Sequence, residues 1–341
     1  MNSMNRTIAA ILFAGLFAAG CLANSGNSSG SGDGSGGGGG SGNSTPTAGA
    51  AAAAVQDAIT GMNIGFLGLI NNKPSVASIE KARSADISES VYGYLDDLRA
   101  ISDLSVSPFN DLSQDICTGG GSAVSAAGID AATSNYKITV QFNNCLNLSQ
   151  GATYNLTLEM VFPEIPPLPI SAGLCNGMKV NTEANGTRSV SGVDFNNVVT
   201  YTGYQIDLTS NGCDLNGVPN NFFLNATGVL AYDDNLNAVN SFDLNGINLS
   251  VTASPVSGGS NLFFDGTFAD TASCFDGSVS VDTTVPVLYA SGFGTCPNSG
   301  ILAVTGVVPG TVTYAAGGEV QVENGGEITT YDSCQEVVAC Q

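Results

Sequence analysis

The sequence predicts a mainly β protein of α+β layout: a large curved antiparallel sheet, or a barrel-like meander, packed with two N-terminal helices. Three observations lead there. From about residue 115 onward apolar and polar residues alternate, the period of a half-buried strand. Asn-Gly or Asp-Gly dipeptides punctuate the alternation at 176, 185, 211, 216, 245, 265, 276 and 324, and such pairs supply the positive φ of hairpin turns. Ahead of the alternation lie two stretches with helical spacing.

The first helix is read from the alanines at 50–54 and from Val55, Ile59, Met62, Phe66 and Leu69 on one stripe. Alanine is the best helix former, and a stripe of this spacing covers one helix face. The second follows Asn71-Asn72-Lys73-Pro74 and carries Ile87, Val91, Leu95, Leu98 and Ile101. Asp86 with Glu89 forms a capping arrangement at its start. Both stripes read as core packing.

Strands follow. Tyr136, Ile138, Val140 and Phe142 alternate with Lys137, Thr139 and Gln141. Tyr154 to Phe162, Tyr204 to Leu208 and Phe222 to Tyr232 repeat the pattern, the last interrupted by Gly228. Phe242 and Leu244 have one parity and Ile247, Leu249 and Val251 the other, with Gly246 at the change. A parity change at glycine means a tight turn or a bulge. Valine and tyrosine alternations continue to Val322, which makes roughly ten to thirteen antiparallel strands with short connections. A transmembrane barrel would need longer strands and aromatic girdles, and aromatic residues are 7% of this chain.

Composition excludes several chemistries. The chain has 341 residues, 8 Lys+Arg against 29 Asp+Glu, a net charge of -21, and neither His nor Trp. Without His there is no Ser-His or Cys-His nucleophile pair and no His-ligated metal. Nucleic acid is excluded as a partner, because phosphate binding needs clustered Lys and Arg. Gly32, Gly34 and Gly37 match a dinucleotide-loop spacing, and Gly26-Asn27-Ser28-Ser29-Gly30 matches a nucleophile elbow. Both sit in a Gly/Ser tract with no flanking strand or helix, which empties them of meaning.

No Lys or Arg follows Arg188. The acids beyond it read first as a solvated anionic surface. The alternative is divalent cation binding, with Ca²⁺ the cofactor suggested and Asp214, Asp233, Asp234 and Asp243 the candidates; none fits the spaced twelve-residue calcium loop. Glu159, Glu164 and Glu183 are the candidates for carboxylate-pair hydrolysis, against the reading of ordinary surface acids. Asn155-Leu156-Thr157, Asn185-Gly186-Thr187 and Asn225-Ala226-Thr227 are glycosylation sequons, read here as strand and turn chemistry.

The N-terminus carries an address. Arg6, the apolar run Ile8 to Phe17 and small residues up to Cys21 form a secretory signal, too short to span a bilayer. Ala18-Ala19-Gly20-Cys21 resembles a bacterial lipobox, in which the cysteine receives lipid and becomes the first mature residue. The alternative is ordinary cleavage that leaves Cys21 a free thiol. Leu22 rather than Asp after the cysteine implies outer-membrane sorting. A Gly/Ser-rich tether then runs to residue 48, spanning about 25–30 Å. The expected organisation is signal peptide 1–20, anchor and tether 21–48, helical segment 49–114 and β domain 115–341.

Eight cysteines lie beyond Cys21: Cys117, Cys145, Cys175, Cys213, Cys274, Cys296, Cys334 and Cys340. An even set in an exported chain reads as four disulfides. Pairing in sequence order, 117–145, 175–213, 274–296 and 334–340, is the expectation for a hairpin-rich chain, since sequence alone does not fix connectivity. The contexts Cys117-Thr-Gly-Gly-Gly, Phe142-Asn-Asn-Cys145, Cys274-Phe-Asp-Gly-Ser and Cys296-Pro-Asn-Ser-Gly resemble uncharacterised β-rich, disulfide-containing bacterial lipoproteins over about 115–325. The resemblance implies export, disulfides and a β-rich body, and no activity.

These features point to an outer-membrane lipoprotein, membrane-bound through its N-terminal lipid, whose body is a non-enzymatic interaction or structural module at the cell envelope. The alternatives are a carrier of an apolar ligand such as a lipid inside the curved sheet, and a carboxylate-based hydrolase.

Overall fold

The computed structural model describes residues 50–65, 93–98, 100–101, 109–166, 173, 175–191, 196–213, 219–233, 240–253, 260–270, 277–289, 296–334 and 336–337. The signal segment, Cys21, the tether, Asp214, Asp234, Cys274 and Cys340 lie outside them.

Helix α1 spans Ala50–Gly65, and residues 93–98 form the helical segment α2. Strand β1 is Phe109–Asp111, followed by a one-turn helix α3, Ser113–Ile116. The long strands are β2 (Gly120–Ile129), β3 (Tyr136–Asn147), β4 (Ala152–Phe162), β5 (Lys179–Ser191), β6 (Asn196–Cys213), β7 (Pro219–Asp233), β8 (Asn240–Ala253), β9 (Ser260–Asp270) and β10 (Ser278–Tyr289). Shorter strands close the series: β11 (Ser299–Gly306), β12 (Gly310–Tyr314), β13 (Val320–Asn324) and β14 (Glu327–Tyr331).

Each strand pairs antiparallel with its neighbours in sequence, giving one open 14-stranded meander with β1 and β14 at its edges. This exceeds the ten to thirteen strands expected, and the sheet starts at Phe109, ahead of the expected boundary at 115. The reason is visible in β1 and β14. At three and five residues, such strands leave almost no periodic signal.

One face is apolar and buried. Ile138, Val140 and Phe142 on β3, Tyr154, Leu156, Leu158, Met160 and Phe162 on β4, and Leu224, Leu249 and Phe264 further along are all buried. The opposite face carries Thr139, Gln141, Thr157, Glu159, Asn181, Glu183 and Asp207, all half-buried or exposed. The two helices cover the apolar face, as the sequence pattern requires. Ala51, Ala54, Val55 and Ala58 are at most 1% exposed, and Leu95, Leu98 and Ile101 at most 2%. Helix α1 touches β6, β7 and β8 and also β12 and β13, so the sheet curls until well-separated strands meet one helix. Alanine makes this closeness feasible: a Cβ on Gly310 of β12 would sit 2.8 Å from that of Ala51.

The curl has a backbone cause. Register slips occur on β3 between Gln141 and Cys145, on β6 between Thr202 and Gln205, on β8 between Asn245 and Asn248, and on β10 between Val281 and Val287. Each is a bulge, which bends its strand and sharpens local twist. The strands between them are kinked by glycines in positive φ: Gly186 on β5, Gly228 on β7 and Gly266 on β9, at +130°, +111° and +140°. The two devices fit together. The carbonyl of Gly203 on β6 occupies the space where a Cβ on Gly228 would stand, and that of Gly246 does the same to Gly266. A line of kinks thus crosses the sheet from β3 to β10.

This corrects the reading of Asn185-Gly186, Asn211-Gly212, Asn245-Gly246 and Asp265-Gly266 as turns. They lie inside β5, β6, β8 and β9; at Gly186, Gly246 and Gly266 the positive φ serves a kink rather than a hairpin. Asn324-Gly325 does form a turn, between β13 and β14.

Candidate functional site

The bulge line carries a polar strip on the outer face. A bulge takes backbone groups out of the sheet ladder, and each needs a new partner. Asn155 Oδ1 accepts the Asn144 N–H at 2.6 Å, and Asn185 Oδ1 accepts the Gly203 N–H at 2.7 Å. On β8 the Asn248 amide donates to the Gly246 carbonyl at 3.2 Å and receives the Asn225 amide at 2.7 Å. Asp265 accepts the Thr283 N–H at 2.6 Å, while the Thr283 hydroxyl bridges to the backbone of Phe264. Each such bond is worth about 1 kcal/mol. Three of the sequon asparagines, Asn155, Asn185 and Asn225, therefore have structural work on strands.

The carboxylate candidates separate. Glu159 and Glu183 stand directly opposite each other on β4 and β5. They share the outer face rather than a cleft, and each has its own partner. Lys137 is 2.6 Å from Glu159. Glu183 accepts from Asn185 at 2.6 Å and from Gln205 at 3.0 Å. Glu164 instead lines a surface cleft of about 180 Å³ with Pro163, Ile165, Pro166, Met178 and Lys179. Among the described residues lining that cleft it is the one acid.

Of the calcium candidates, Asp233 ends β7 opposite Val198, and Asp243 on β8 stands opposite Val229 and Ala269. The register does not oppose these two acids. Among the described residues no three Cys, Asp or Glu side chains gather as a metal site would require.

The disulfides follow the meander. Cys117–Cys145 and Cys175–Cys213 are bonded, in the order expected. The third is Cys296–Cys334, which overturns both 274–296 and 334–340. Strand β10 lies between residues 274 and 296 and spans roughly 40 Å at 3.3 Å per residue, so its two ends do not bring sequence neighbours together. Cys296 precedes β11 and Cys334 follows β14, and in an up-and-down order both positions fall at one end of the sheet. The Cys175–Cys213 bridge belongs to that same end and Cys117–Cys145 to the other.

Sequence reasoning missed a polar set under the sheet. Arg188 is 1% exposed and stands on β5 between Tyr154 of β4 and Val199 of β6. Tyr201 and Tyr204 lie nearby with ring centroids 5.9 Å apart. From α2, the Tyr94 hydroxyl donates to Thr182 Oγ1 at 2.9 Å, and Asp97 is 3% exposed. Burial pushes the hydroxyls of Tyr94, Tyr154, Tyr201 and Tyr204 above the ordinary tyrosine range. The Arg188 charge pulls back at Tyr154 and Tyr201, and Asp97 adds to the rise at Tyr154 and Tyr94. These hydroxyls stay neutral at physiological pH, and the set holds α2 to β4–β6. The signal was available: Arg188 shares the inward parity of Val180, Thr182, Ala184 and Val190.

No family model, curated protein or solved structure matches the chain.

Proposed function

We propose that the chain is an exported outer-membrane lipoprotein, acylated at Cys21, whose β body is a non-enzymatic interaction module at the cell envelope. The observation that carries this is the set of three bridges among the described residues, one at one end of the sheet and two at the other. Disulfides persist in oxidising compartments outside the cytosol, where the lipobox-like Ala18-Ala19-Gly20-Cys21 would deliver the chain. The body begins at Ala50 beside Gly310, at the end of the sheet holding the β11–β12 turn. The carrier alternative is weaker, because α1 and α2 occupy the concave apolar face.

The test is the intact mass of the chain extracted from membranes, before and after reduction and alkylation. An acyl mass on Cys21, lost with Cys21→Ser, together with oxidised downstream cysteines, is the expected result. An unmodified chain in the soluble fraction with reduced thiols would overturn the reading.

A further inference from the structure

Five polar side chains line up across the outer face. Asn181 on β5 faces Asp207 on β6, which faces Asn225 on β7, which faces Asn248 on β8, which faces Asp265 on β9. Two residues along the strands, about 7 Å away, runs a second row. Phe223 on β7 and Phe263 on β9 flank Ser250 on β8 in direct register. Phe223 is 40% exposed and Phe263 half-buried. Outward phenylalanines on a polar face cost free energy unless something covers them.

We infer that this surface binds a neutral β-1,4-linked glycan laid across the strands. Two strand spacings separate the phenylalanines, about 9.6 Å, close to the length of one disaccharide unit of such a chain when extended. Each ring offers an apolar face to the C–H face of a pyranose. The polar row beside them is rich in acceptors for sugar hydroxyls. Asn181 and Asp207 spend one bond on each other at 2.6 Å, and Asp265 Oδ1 is taken by Thr283. Asp207 Oδ2, Asn225 Oδ1 and Asp265 Oδ2 have no protein partner among the described residues. The charge selects the class of glycan. Asp207, Asp265 and the neighbouring Glu183 are acids, set against one exposed cation, Lys179 of β5, which continues the phenylalanine row through Thr209 of β6, so the surface is net negative and an anionic polysaccharide is repelled while a neutral one is not.

The inference rests on the body being an interaction module and is independent of its lipid. The full mature chain is tested for retention on microcrystalline cellulose and for binding of cellohexaose by calorimetry. Retention is expected, with affinity falling at least tenfold in Phe223→Ser/Phe263→Ser. If that variant loses its β-sheet circular dichroism, Asp207→Ala at an exposed position decides instead: weakened binding supports the inference and unchanged binding overturns it. No retention of the native chain, or tighter binding to heparin than to cellohexaose, also overturns it. An acylated, membrane-bound chain that ignores cellohexaose sinks this inference alone. A soluble unacylated chain that binds it sinks the anchoring alone.

Discussion

Gly228→Ala tests the claim that paired kinks set the curvature of the sheet. Gly228 holds φ +111°, and a Cβ there would stand 2.5 Å from the Gly203 carbonyl oxygen and 2.8 Å from the Tyr204 Cα. Both obstacles are backbone of the neighbouring strand, so neither rotates away. The unfavourable φ costs about 1–3 kcal/mol, and relieving the contact means parting β6 from β7 and stretching ladder bonds worth about 1 kcal/mol each. A total of about 3–5 kcal/mol is expected. For a body of about 300 residues the unfolding entropy is about 0.6 kcal/mol per degree, so the melting temperature should fall by about 5–8 °C. Gly203→Asn is the matched control. Its φ is +56° with open space around the Cβ, a conformation asparagine tolerates, and its N–H keeps its bond to Asn185. It should cost about 1 kcal/mol or less, under 2 °C by the same conversion. Scanning calorimetry reads both. A Gly228→Ala protein melting within a degree of the native one, or a Gly203→Asn protein equally damaged, would refute the interlocking of bulge and glycine.

Three further outcomes follow from the interior and the bridges. Folding raises the pKa of four buried tyrosines above 10.0. Above that pH the native state therefore binds more protons than the unfolded state. The stabilisation is whole below pH 10 and drains as pH rises beyond it, by about 1.4 kcal/mol per pH unit for each tyrosine. The tyrosinate absorbance of these four should appear in one cooperative step together with loss of β-sheet dichroism, whereas their ionisation while the dichroism persists would contradict the burial. Tyr94→Phe removes the donor to Thr182, itself 4% exposed, and should lower stability by about 1–3 kcal/mol, read as a melting shift; no shift would mean that α2 is held elsewhere. Non-reducing peptide mapping should recover 117 with 145, 175 with 213 and 296 with 334 as linked pairs, and a 274–296 link would contradict the distal bridge.

Alternation along β3, β4 and β7 was readable residue by residue, because one face is apolar and the other polar over many residues. Gly246 at a parity change marked a tight turn or a bulge, and the structure places a bulge there. The same signature exists at Thr202-Gly203, where inward Tyr201 gives way to inward Tyr204; a valine-rich run before it masked the change. Asn-Gly misled in β5 and β8 because the dipeptide reports only a tolerance for positive φ. Whether the chain reverses or merely kinks depends on the strand beside it. Cysteine pairing failed beyond the second bridge for a related reason. In an up-and-down sheet, nearness depends on which end a loop leaves from, and sequence distance does not carry that information.

The polarity of the two faces also decides what kind of curled sheet this is. A membrane-spanning barrel turns apolar side chains outward and keeps a polar interior. Here Lys137, Gln141, Asn155, Glu159 and Glu183 point out, and most of the valines, leucines and phenylalanines point in, with Phe223, Phe263 and Val229 among the exceptions. Fourteen strands bent by bulges enclose more space than their own side chains fill, and a dry gap there would forfeit dispersion contacts along every strand. The N-terminal helices fill it, and their composition suits the place. Alanines let α1 approach strands from both sides of the curl, while Tyr94 and Asp97 on α2 meet the buried polar patch around Thr182 and Arg188. The helices are thus part of the core of the β body. A chain cut between them and β1 would expose the concave face along its length, and it should aggregate rather than fold.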